Sequence, residues 1–115
     1  MTITERTTDD VVVLDLTGKL VMGDGAELLR DRVADVVARG HSKILLNLAG
    51  VPYMDSGGLG ELVRCSMAAR KVNGSVKLVG LTGKITDLLA ITKLLNVFDT
   101  FETEEQAIAS LAATA

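Results

Sequence analysis

Two short, almost unbroken apolar runs, Val11–Leu16 and Ile44–Leu48, restrict the fold more than any other feature of the chain. They are rich in branched residues and lack polar alternation, which marks strands covered on both faces. Ser75–Val79 reads as a third such strand. The segments between them carry apolar residues at helical spacing. Leu29, Val33, Val36 and Val37 recur at i, i+4, i+7 and i+8 and build one apolar stripe. Leu59, Leu62, Val63 and Met67 form a second, with Glu61, Arg64 and Arg70 turned away from it. Ile85, Leu88, Leu89 and Thr92 form a third, and Ala107, Ile108, Leu111 and Ala112 a fourth. Adding Thr2–Thr8 as an edge strand and Val97–Phe101 as a short last one gives the order β-β-α-β-α-β-α-β-α. Such alternation requires a largely parallel sheet with right-handed crossovers. The expectation is an α/β single domain over residues 1–115, with a mixed, largely parallel sheet of about four to five strands and about four helices.

Local signals place the ends of these elements. Asp9-Asp10 reads as a tight turn. Asp24 followed by Glu27, and Thr103 followed by Gln106, have capping-box spacing, and Thr82 is placed to cap the third helix. Gly40 sits where a helix C-cap belongs, and Asn73-Gly74 stops the second helix.

Composition removes several classes of function. A net charge of −3 and a pI near 5.0, without a Lys/Arg cluster, argue against nucleic-acid binding. One cysteine and one histidine allow neither an internal disulfide nor a Cys/His metal site. No apolar run approaches the ~18–20 residues that span a bilayer. The N-terminus lacks the basic and apolar regions of a signal peptide, so the expectation is a cytoplasmic protein without membrane insertion, metal or cofactor. His41 reads as a loop residue, and Cys65 and Met67 as core filler.

In open α/β sheets function gathers at the carboxyl ends of the strands. Three glycine-bearing loops fall there: Leu20–Gly25, Tyr53–Gly58 and Gly80–Gly83. Gly80 and Gly83 read as relief of a tight turn. The stretch Pro52-Tyr53-Met54-Asp55-Ser56-Gly57-Gly58-Leu59-Gly60 carries more: a serine beside one acid and two residues without side chains, where a strand gives way to a helix starting near Leu59. A helix start leaves N–H groups unpaired and carries partial positive charge, so it tolerates an anion. Ser56 is an N-cap, a nucleophile or a phosphorylation acceptor. A nucleophile needs a base within hydrogen-bond reach. His41 lies at the opposite end of the Ile44–Leu48 strand, and Met54 breaks the G-x-S-x-G pattern, which disfavours hydrolysis. Gly80-Leu81-Thr82-Gly83-Lys84-Ile85 is too short between glycines for a phosphate loop, and Ile85 stands where the magnesium-binding hydroxyl belongs.

Asp55-Ser56-Gly57-Gly58-Leu59-Gly60 resembles the Asp-Ser-Ser/Thr-Gly-Leu-Gly signature of bacterial anti-sigma-factor antagonists, the stand-alone STAS domains. The resemblance extends to Leu16-Thr17-Gly18-Lys19-Leu20, Leu46-Asn47-Leu48, Gly74-Ser75-Val76-Lys77-Leu78 and the closing helix after Thr103. It implies a partner-switching module that is not an enzyme. The unmodified form binds an anti-sigma factor that is also a serine kinase, phosphorylation at the position of Ser56 releases it, and a phosphatase reverses the change. The implied partner surface is Met22, Asp24, Met54, Asp55, Ser56, Gly57, Gly58 and Leu59. The chain departs from the signature twice: Gly57 replaces the second hydroxyl residue, and Val21 replaces an acid that Asp24 is placed to supply. The alternative is a STAS subunit of a larger complex, a stressosome or a lipid-transport ATPase, without a phosphorylation cycle.

Overall fold

The computed structural model describes residues 1–112. Its elements are β1 (Thr2–Thr8), β2 (Val11–Thr17), α1 (Ala26–Ala38), β3 (Lys43–Gly50), α2 (Ser56–Arg70), β4 (Ser75–Val79), α3 (Gly83–Ile91), β5 (Thr100–Phe101) and α4 (Glu104–Ala112). The strands lie side by side in chain order, β1-β2-β3-β4-β5. β1 runs antiparallel to β2, and every later pair is parallel. Asp9 and Asp10, both at positive φ, make the hairpin turn, the backbone shape that matches strand twist in a two-residue loop.

Side chains alternate across the sheet, so each apolar run feeds two cores. Val12, Leu14, Leu16, Ile44, Leu46, Leu48, Val76 and Leu78 pack with residues of α1, α2 and α3. Val11, Val13, Leu45 and Val79 pack with Ala107, Ile108 and Leu111 of α4. Right-handed crossovers between neighbours taken in one direction put α1 to α3 on one face. α4 then folds back over the other.

α1 ends in a Schellman motif: the His41 amide donates to the Val36 carbonyl and the Gly40 amide to Val37, with Gly40 at φ +93°. Asn73 takes the same left-handed position after α2 and Lys93 after α3. Gly40 lacks a Cβ and Asn73 has the short polar side chain that tolerates this conformation, so of the three Lys93 is the poor fit. Lys93→Gly is therefore expected to raise stability by about 0.5–1 kcal/mol in urea unfolding.

Arg6 ties α4 to the hairpin. Its guanidinium donates to both Asp15 carboxylate oxygens (2.7 and 3.0 Å) and to Glu104. These bonds hold the carboxyls of Asp15 and Glu104 below the usual carboxylate range, and burial only partly opposes them. A depressed folded-state pKa contributes stability that is complete above the unfolded value near ~4 and is lost as pH falls through the folded value. Arg6→Gln should therefore be less stable than the parent at pH 7, with the gap narrowing as urea midpoints are measured from pH 5 down to 3.

Four sequence expectations need correction. Asp24 does not cap α1: Gly25 is its N-cap without a side-chain bond, and the Ala26 amide is taken by the Val21 carbonyl. The Glu27 carboxylate accepts from the Gly23 amide instead. The inner face of α2 is Leu59, Leu62, Cys65, Ser66 and Ala69, with Glu61 buried and Met67 55% exposed, so Met67 is not core filler and Glu61 is not turned outward. The last strand is Thr100–Phe101 rather than Val97–Phe101, because Phe98 is drawn into the core beneath α1 to α3. Thr92 and Ala112 are exposed, the Thr92 hydroxyl donating to the Leu88 carbonyl.

Candidate functional site

The helix at the motif starts three residues earlier than its apolar pattern implies. Asp55, in extended conformation, is the N-cap of α2, and its Oδ1 accepts from the Gly58 amide at 2.8 Å. Ser56 is thus the first helical residue, not the cap, and its side chain is exposed. The Asp55 carboxylate has a second task. It also accepts from the Met22 amide at 3.2 and 3.3 Å, which fastens the β2–α1 loop to the start of α2.

Backbone contacts reinforce that junction. Leu20 pairs with Met54 in a parallel bridge, its amide donating to the Tyr53 carbonyl and its own carbonyl accepting from Asp55. Gly58 lies directly over the same residue: a Cβ there would stand 2.0 Å from the Leu20 carbonyl oxygen. This close approach explains why glycine, a poor helix former, occupies the first turn. At Gly57 a Cβ would meet the Met22 Cβ at 2.7 Å. Met22 thus stands beside the position where the related signature carries its second hydroxyl.

The structure brings seven of the eight candidate residues into one continuous junction and gives them different environments. Met22 is 71% exposed and Ser56 is exposed, while Asp55 and Gly57 are half-buried. Met54, Gly58 and Leu59 are buried, so they support the surface from below rather than forming it. Asp24, the eighth, points to solvent, 3.3 Å from the Met1 amino group.

Sequence reasoning missed the far side of Ser56. An open groove of about 700 Å³ separates the motif from α3, lined by Tyr53, Asp55 and Ser56 on one wall and by Lys84, Asp87, Leu88 and Ile91 on the other. Tyr53 is half-exposed and Ile91 is 79% exposed. Exposed apolar side chains flanking a polar centre are usual at protein-binding sites. Ile91 falls off the inward stripe of α3, a signal visible in the sequence; nothing there pairs it with Tyr53.

Other groups stay apart. His41 precedes β3 and Ser56 follows it, so the strand's length separates them. Cys65 is buried between α1 and α2, and burial, helped by Glu61, pushes its thiol up to about 12, where it stays protonated. Among the described residues no three His, Cys, Asp or Glu side chains cluster to hold a metal ion, and no helix is long and apolar enough to cross a membrane.

Comparison with known proteins gives this geometry a context. The family model described as the STAS domain matches residues 2–107. The anti-sigma-B factor antagonist of Bacillus subtilis is 34% identical over 74 residues, 64% of this chain and 67% of that protein. A Thermotoga neapolitana homolog of TM1081, named a candidate anti-sigma factor antagonist, is 31% identical over 87% of this chain and 88% of its own. The crystal structure of TM1081 from Thermotoga maritima, named in the same way, superposes with a TM-score of 0.88 at 27% identity, covering 95% of this chain and 93% of that one. With the motif at the strand–helix junction, a five-stranded mixed sheet of matching topology and a family match across nearly its whole length, the chain belongs to the STAS domain family.

Proposed function

We propose that this protein is an anti-sigma factor antagonist whose binding to an anti-sigma factor is gated by phosphorylation of Ser56. The observation that carries the reading is the exposed hydroxyl on the first residue of α2, between exposed Met22 and the Tyr53–Ile91 groove. The relatives' names supply the partner class.

In the unmodified state the partner, an anti-sigma factor with serine-kinase activity, covers Ser56 and Gly57 and packs on Met22 and Tyr53. The kinase transfers the γ-phosphoryl group of ATP to Ser56 Oγ, the hydroxyl proton is lost and ADP leaves. The phosphate adds about −1.5 to −2 charges beside Asp55. The N-terminus of α2 tolerates an anion, so the fold persists. The partner must bury that charge against its own surface, and the complex separates by repulsion and bulk. A phosphatase restores the hydroxyl. The protein acts in the cytoplasm as a binding module and needs no cofactor.

Incubation with the histidine-kinase-like ATPase encoded nearest to it, with ATP, should place a single phosphoryl group on Ser56 by mass spectrometry and none on a Ser56→Ala variant. Modification at another residue, or none, contradicts the proposal.

A further inference from the structure

The groove beside Ser56 has two walls of unequal charge. The motif wall carries Asp55, whose carboxylate is already engaged by the amides of Met22 and Gly58. The α3 wall carries Lys84 and Asp87, and among the described residues Lys84 is the one cation lining the groove. Lys84 is exposed in the first turn of α3, held there because Thr82 caps the helix through the Ile85 amide. Among the described residues Lys84 forms no ion pair, as is also true of Lys19, Arg32, Lys43, Arg70, Lys71 and Lys93; what sets Lys84 apart is its place on the groove that holds Ser56.

We infer that Lys84 is a positioning residue for the phosphoryl group on Ser56, its ammonium reaching across the groove to hold the phosphate against α3. The inference rests on Ser56 being the acceptor, as proposed above. A lysine side chain has the reach and rotational freedom to follow a phosphate as a point charge. Asp87 also lines the groove, one turn further along α3, and competes for the ammonium as a single carboxylate. A phosphate near −2 outbids it. The consequence is directional. The phosphate leans into the groove rather than toward Met22, bridges the motif to α3, and occupies the space between Tyr53 and Ile91 that a partner would need. Before modification Lys84 leaves that space open.

The test uses the full chain with phosphoserine installed at position 56 during translation through a recoded codon, so no kinase is required. The second ionisation of the phosphate is followed by ³¹P NMR against pH. Lys84→Gln should raise that pKa by about 0.2–0.7 unit, the range expected for an exposed ion pair, and the difference should shrink in 1 M salt. Lys84→Arg should keep the parent value, and Asp87→Asn should shift it downward. In ¹⁵N spectra, phosphate-induced changes at the α3 amides should vanish in Lys84→Gln. Because Lys84 and Asp87 line an open groove, both variants are expected to keep the parent's dispersed amide spectrum. A phosphoserine that titrates identically in the parent and in Lys84→Gln overturns the inference. That outcome is separate from failure of the gating proposal, which is read by kinase labelling and partner titration.

Discussion

Gly58→Ala is expected to lose about 3 kcal/mol of stability, although alanine is the better helix former by about 0.5–1 kcal/mol. The added Cβ would lie 2.0 Å from the Leu20 carbonyl oxygen and 2.9 Å from its carbon. Both are backbone atoms that cannot swing aside. Leu20 is fully buried and pinned by its bridge to Met54, so α2 and the β2–α1 loop have to part. Overpacking against a fixed wall typically costs 1–3 kcal/mol or somewhat more. A loss of that size should lower the melting temperature by about 10–15 °C in a domain of this length. Gly60→Ala is the internal control. Its Cβ would find only Arg64 Nη1, at 3.7 Å, so it should be neutral or gain up to about 1 kcal/mol. Thermal melts of the two variants side by side measure the difference. Equal behaviour would show that the close approach at Gly58 does not constrain the junction.

Ser56→Asp is expected to weaken partner binding by about 100-fold while barely changing the melt. A carboxylate on the first residue of α2 interacts favourably with the helix dipole, by about 0.3–1 kcal/mol, so the free protein should be as stable as the parent or slightly more so. In the complex the same charge is placed beside Asp55 and stripped of water. Like-charge contacts at an interface cost several kcal/mol, and ~2.8 kcal/mol corresponds to 100-fold. Ser56→Ala should bind like the parent and lose response to the kinase. The pair is read by calorimetric titration against the anti-sigma factor, with melting curves of each free variant alongside.

The centre of the sheet was legible in the sequence because β2 and β3 are buried on both faces, and such strands announce themselves as almost unbroken apolar runs. The caps at Thr82 and Thr103 were equally plain, since side chain and target amide lie three residues apart. α2 misled for a physical reason. Beyond Leu59 and Leu62, its buried face is built from the small residues Gly58, Cys65, Ser66 and Ala69, whereas the larger Met67 lies outside. Glu61 is buried against the α1 side beside Arg64, a placement only the neighbouring helix determines. At the site, the motif reads off directly because it is contiguous. The second task of Asp55, the contact of Met22 with Gly57, and the groove facing Lys84 and Ile91 join residues far apart in the chain, and no local pattern encodes them.

The central claim is that charge on one exposed hydroxyl decides partner binding without touching the fold. It is tested most directly by titrating one anti-sigma factor with the Ser56 and phosphoserine-56 forms of the full chain, and by melting both forms free in solution. The account predicts an affinity drop of about 100-fold or more, with melting temperatures that agree within about 2 °C. Equal affinities, or a phosphorylated form that has lost its fold, would contradict it.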